Sequence, residues 1–94
     1  MQITWLKTAL KNLDELAEYI AQESPQAASQ VVETIETQVN LLAMQPALGR
    51  PGRVLGTREL VINNTHYLVP YRIKNNTVEV LRVFHTSRRP SNKW

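Results

Sequence analysis

The cations of this chain are crowded into its second half, and most of them are arginines. Residues 50–94 carry Arg50, Arg53, Arg58, Arg72, Lys74, Arg82, Arg88, Arg89 and Lys93 against only Glu59 and Glu79, a balance of +7. Residues 1–49 carry Lys7 and Lys11 against Asp14, Glu15, Glu18, Glu23, Glu33 and Glu36, a balance of −4. A guanidinium is planar and presents paired donors, so it suits two-pronged contacts to phosphate or carboxylate. A surface of this kind points to an anionic partner. The plain alternative is a solvated surface on which some arginines form weak ion pairs.

One histidine stands beside this basic set. His85 closes an apolar run and is followed by Thr86, Ser87, Arg88 and Arg89. An imidazole next to arginines is a candidate general acid or base. The simpler and favoured reading is a strand-end histidine that hydrogen-bonds to backbone. His66 has weaker claims. Two histidines with no neighbouring Cys or Asp make a poor metal site, so no metal is expected. The chain has no P-loop, Gly-rich dinucleotide loop, nucleophile elbow or HExxH, and no cofactor is expected. Trp94 ends a basic tail and suits anchoring or stacking on a partner.

These residues need a scaffold, and the patterning supplies one. Gln2–Leu6 reads as a short strand. Thr8 is a plausible cap for a first helix whose stripe is Leu6, Leu10, Leu13, Ala17 and Ile20, flanked by Ala9 and Leu16. Ser24-Pro25 starts a second helix that runs to about Met44, with the stripe Ala28, Val31, Val32, Ile35, Val39 and Leu42. So short a link makes the helices an antiparallel hairpin. The segment 46–53 has two prolines and two glycines and reads as an ordered loop.

From Thr57 the period changes to that of strands. Thr57–Ile62, His66–Ile73 and Thr77–His85 are separated by the Asn-rich turns 63–65 and 75–76. Pro70 cannot donate to a ladder, so a bulge or unpaired stretch is expected beside it. Tyr67 and Tyr71 share a face with Val69 and read as core. Arg72 and Arg82 fall on adjacent strands, on the face opposite the helices, unless one of them pairs with Glu59 or Glu79. The expected fold is α+β: a short N-terminal strand and an antiparallel helical hairpin packed on one face of a three- to four-stranded antiparallel sheet, with residues 1–94 as a single domain. No apolar run approaches the ~18 residues of a membrane span, so no membrane partner is expected. Absence of Cys fits a reducing cytoplasm. Met1–Lys7 does not read as a signal peptide.

Five stretches, taken in order, carry a resemblance. They are Trp5-Leu6 before an amphipathic helix; Pro46-Ala47-Leu48-Gly49-Arg50; Gly56-Thr57-Arg58-Glu59-Leu60-Val61; Tyr67-Leu68-Val69-Pro70-Tyr71-Arg72; and Val80-Leu81-Arg82-Val83-Phe84-His85. Together they resemble the RelE/ParE superfamily of bacterial type II toxin–antitoxin toxins. The resemblance implies a small basic cytoplasmic toxin neutralised by a cognate antitoxin, whose segment docks on the helices and sheet.

Two mechanisms divide that superfamily. ParE-like members inhibit DNA gyrase and are not nucleases. RelE-like and YoeB-like members cut mRNA on the ribosome. Cutting needs a base for the ribose 2′-OH, an acid for the leaving oxygen and cations for the phosphorane charge. In that alternative the resemblance assigns catalysis to Arg58 and His85, with Arg82 or Arg88 adding charge. Thr86 stands where YoeB-like toxins have an aromatic, and the central lysine pair of RelE-like toxins is missing. Long helices are more typical of ParE-like chains, so gyrase is the expected target and ribosome with mRNA the alternative. Arg50, Arg53, Arg72, Arg88, Arg89, Lys93 and Trp94 are then expected to bind target or antitoxin.

Overall fold

A computed structural model describes residues 1–87. The order is β1 (Gln2–Trp5), α1 (Lys7–Ala21), α2 (Pro25–Asn40), a 3-10 turn (Leu41–Ala43), β2 (Arg50–Pro51), β3 (Arg58–Val61), β4 (Tyr67–Lys74), β5 (Thr77–Val80) and β6 (Phe84–His85). The α+β class holds, with the helical hairpin between β1 and the remaining strands. Among the described residues, no helix is long and apolar enough to cross a membrane.

α1 starts at Lys7 without a side-chain cap, so Thr8 does not play the expected role. The sheet sets this start instead. The Leu6 N–H donates to the Val80 carbonyl at 3.0 Å, and the Leu6 carbonyl accepts from Leu10 N–H at 3.0 Å. Leu6 is therefore the last rung of a ladder and the first acceptor of a helix. The inward stripe of α1 is Ala9, Leu13 and Leu16, with Ile20 packed at its end. It is rotated from the expected one, and Leu10 faces solvent. α2 begins as its sequence dictates: Ser24 Oγ accepts from Ala27 N–H at 3.1 Å and Pro25 occupies the first turn. Ala28, Ile35 and Val39 are buried, and Leu42 follows on the 3-10 turn. Gln22, Glu23 and Ser24 link the helices, which pack against each other.

The sheet is mixed, six-stranded and ordered β1-β5-β4-β3-β2, with β6 on β4 beyond the end of β5. It is larger than the three or four antiparallel strands expected, for three reasons. β1 joins β5 in parallel, Gln2 opposite Thr77 and Trp5 opposite Val80. Arg50-Pro51, inside the loop, pairs with β3. The expected 77–85 strand breaks in two. Val80 lies opposite Tyr71 and Phe84 opposite Leu68, so residues 81–83 oppose only 69–70. That extra residue is a β-bulge, placed where Pro70 has no N–H to give. The β4–β5 turn is tight because Asn75 and Asn76 both take positive φ, 52° and 60°.

The helices cover one sheet face. Tyr67, Val69 and Tyr71 of β4, Leu60 and Ile62, and Val78 and Val80 form the core with Ala9, Leu13, Leu16, Ile35, Val39 and Leu42. Side chains alternate along a strand, so the even residues of β4 and their cross-strand partners Glu59 and Glu79 lie on the opposite face.

Candidate functional site

Tyr71 and Arg58 are cross-strand partners, and both tie down the loop after α2. The fully buried Tyr71 hydroxyl donates to the Pro46 carbonyl at 2.7 Å and accepts from Gly49 N–H at 2.8 Å. Burial pushes its pKa up, against the pull of the Gly49 N–H and the Arg58 charge. Arg58 Nη1 donates to the Gly49 carbonyl at 2.7 Å and to the Ala47 carbonyl at 3.4 Å. Gly49 is required here. A Cβ would sit 2.7 Å from Tyr71 Cε1 and 2.9 Å from the Glu59 carbonyl.

The loop thus anchored delivers arginines to the face away from the helices. Glu59 is 2% exposed. Its Oε2 accepts from Arg53 N–H at 3.0 Å and from Arg53 Nε at 3.1 Å, and Arg50 Nη2 lies 3.5 Å from Oε1. Burial pushes the Glu59 pKa up, but the Arg53 N–H, its guanidinium and the Arg50 charge outweigh it and hold the carboxyl below its ordinary range. On the same face Arg72 Nε meets Glu79 Oε1 at 2.6 Å. The face opposite the helices carries Arg50, Arg53, Arg72 and Lys74 against two glutamates, and not the expected pair of Arg72 and Arg82. Arg72 takes the ion-pairing alternative. Arg82 sits in the bulge, off the strands, and among the described residues its side chain makes no ion pair or hydrogen bond. Arg88, Arg89, Lys93 and Trp94 lie outside the described residues.

His85 belongs to a different place. It pairs with Tyr67 on β6 and meets that ring edge-on at 5.4 Å, with the His66 ring at 5.7 Å. Ser87 N–H donates to His85 Nδ1 at 3.3 Å, and Ser87 Oγ lies 2.7 Å away. An N–H donor requires a lone pair on Nδ1, which leaves the ring proton to Nε2. The imidazole borders a cleft of about 350 Å³ lined by Asn12, Glu15, Tyr19, Tyr67 and Phe84. Asn12 Oδ1 holds the bulge by accepting from Val83 N–H at 3.1 Å.

Arg58 and His85 are not brought together. They flank opposite edges of β4 at Tyr71 and Tyr67. Four residues along a strand and two strand spacings across it separate their backbones by roughly 16 Å. Among the described residues, no three His, Cys, Asp or Glu side chains gather into a metal site.

Residues 3–90 match the model of the ParE toxin of type II toxin–antitoxin systems, parDE. The chain belongs to the ParE toxin family, within the RelE/ParE superfamily. Y4kP of Sinorhizobium fredii, whose name includes the word toxin, is 49% identical over 84 residues, covering 89% of this chain and 86% of its own. The toxin RelE2 of Caulobacter vibrioides is 32% identical over 87 residues, covering 93% of this chain and 97% of its own. Among solved structures, the chromosomal ParDE system of P. aeruginosa superposes with a TM-score of 0.81 at 28% identity, covering 90% and 95% of the two chains. The RelBE2 toxin–antitoxin complex of Mycobacterium tuberculosis superposes with a TM-score of 0.60 at 29% identity, covering 89% and 95%.

This ParE-family toxin thus has two separate polar centres. One is the Arg50–Glu59–Arg53 and Arg72–Glu79 array on the open face; the other is the His85 cleft at the sheet end. The pairing of Glu59 with Arg50 and Arg53 was missed in the sequence reading. Its signal was present, since Glu59 is one of only two carboxylates in the basic half. The Tyr71 hydroxyl bonds were missed because they close over 22 and 25 residues.

Proposed function

We propose that this toxin arrests growth by binding and inhibiting DNA gyrase in the cytoplasm, without cutting RNA, and that a cognate antitoxin neutralises it. The observation that carries the reading is the separation of Arg58 from His85. Cleavage of one phosphodiester needs base, acid and charge-stabilising groups within hydrogen-bond reach of the same few atoms. Groups whose backbones stand roughly 16 Å apart, at opposite edges of β4, are poorly placed to act on one phosphodiester. Arg58 also spends Nη1 on loop carbonyls, as a positioning group would. The superposition on the P. aeruginosa ParDE protein, higher than that on RelBE2, agrees with this choice. Both of those structures come from toxin–antitoxin systems, and the open face with Arg50, Arg53 and Arg72 suits an acidic antitoxin segment.

The test uses antitoxin-free protein from one preparation in two assays. One is gyrase supercoiling; the other is primer extension on a defined mRNA with programmed ribosomes. Blocked supercoiling with intact mRNA is expected. Ribosome-dependent cuts that vanish in Arg58→Ala and His85→Ala would overturn the reading in favour of the nuclease alternative.

A further inference from the structure

We infer that the tip of the β2–β3 hairpin is a plug, with Leu55 entering an apolar, acid-rimmed pocket on the folded protein that this toxin attacks. The inference rests on the chain being a toxin and not on gyrase being its target. Leu55 is 100% exposed at the apex. A lone exposed leucine is ordinary. What sets this one apart is the bracing beneath it.

Gly52 N–H donates to the Thr57 carbonyl at 2.8 Å, closing the base of the tip. Thr57 returns both its N–H, at 3.1 Å, and its hydroxyl, at 2.6 Å, to the Val54 carbonyl. Gly56 supplies the positive φ of 82° that turns the chain back. Arg53 is gripped twice by Glu59. A buried carboxylate is unfavourable unless its oxygens are satisfied. The Glu59 carboxylate is held by Arg50 and Arg53, so its effect is to fix this tip. An apolar side chain on a preformed, rigid apex loses little freedom when it docks.

Shape selects the partner. A convex tip needs a concave pocket, which a folded surface offers and an extended antitoxin segment does not. An antitoxin segment instead fills clefts; the cleft beside Leu41, Leu48 and Val61 is lined by Arg50 and Glu59 but not by Leu55, and Leu55 does not line the one beside Tyr19 and Tyr67. Arg50, with its side chain half exposed next to the tip, calls for acidic groups around that pocket.

The test compares Leu55→Asp and Leu55→Met with the parent toxin. Each is induced without antitoxin while growth is followed. Each purified variant is also measured for thermal stability and for affinity to the cognate antitoxin. Leu55→Asp should need on the order of tenfold more toxin for the same arrest, while Leu55→Met should arrest growth like the parent. Stability and antitoxin affinity should be unchanged in both. Arrest by Leu55→Asp at the parent level overturns the inference. So does failure of Leu55→Met with stability intact, and so does a parallel loss of antitoxin affinity. A parent toxin that arrests growth but leaves supercoiling untouched refutes the gyrase reading alone, and the Leu55 comparison then still decides this inference. A parent that arrests nothing overturns both.

Discussion

Replacing Tyr71 by Phe removes one oxygen atom and, with it, two interactions that hold the loop after α2. The hydroxyl donates to the Pro46 carbonyl at 2.7 Å and accepts from Gly49 N–H at 2.8 Å. Tyr71→Phe keeps the ring, so packing against Val69 and Val80 is retained and no large cavity forms. What remains is a buried Gly49 N–H with nothing to bond and a Pro46 carbonyl that water can reach in part. An orphaned buried donor costs about 1–2 kcal/mol and a lost, partly rehydrated bond about 0.5–1 kcal/mol, so the sum is about 2 kcal/mol. For a domain of this size that lowers Tm by roughly 8–16 °C. Urea denaturation and calorimetry read the total, and amide exchange at Gly49 reads the cause. The reasoning fails if Tm falls by less than about 2 °C, or if Tm falls while Gly49 exchange stays as slow as in the parent.

Three further outcomes follow from the same geometry. Gly49→Ala drives a Cβ to 2.7 Å from Tyr71 Cε1 and should destabilise by about 1–3 kcal/mol; combined with Tyr71→Phe in a denaturation cycle, the two losses should fall short of their sum. The Glu59 pKa is depressed on folding, so its contribution is full above the unfolded value near 4.5 and is lost as pH falls through the lower folded value. Stability of the parent should therefore drop more steeply between about pH 5 and pH 3 than that of Glu59→Gln, and parallel curves would refute the clamp. Ser24→Ala removes the α2 cap and should cost about 1 kcal/mol, with Ser24→Asp close to the parent by thermal melting.

What was legible in the sequence had local causes. Ser24-Pro25, the Asn75-Asn76 turn and the interruption beside Pro70 each act through one residue's own donors or φ, and each stands where the pattern put it. The features that were not legible depend on contacts closed at a distance. Thr8 has capping chemistry, yet the ladder from Leu6 to Val80 starts α1 before Thr8 can cap it. The Arg50-Pro51 strand hides inside a Pro- and Gly-rich loop because two residues are too few to show a period. The candidate site divides in the same way. Arg72 and Lys74 lie on the open face by strand alternation, which a sequence displays, whereas Arg50 and Arg53 reach it through the pairing of a loop with β3. The distance between Arg58 and His85 follows from which edge of β4 each one joins, and nothing near either residue encodes that.

The parallel pairing of β1 with β5 has a consequence in time. Gln2 meets Thr77, so the first strand to leave the ribosome waits for one of the last. Until residues 77–80 are made, Ile3 and Trp5 have no ladder, and Leu6 lacks the carbonyl that sets where α1 begins. The helical hairpin, built from local contacts, forms early; closing the sheet is slow and comes last. The sheet face that spans β3, β4 and β5 is therefore complete only once residues 77–80 have joined it. A chain that has not yet placed residues 77–80 can form the helical hairpin but not the complete open face.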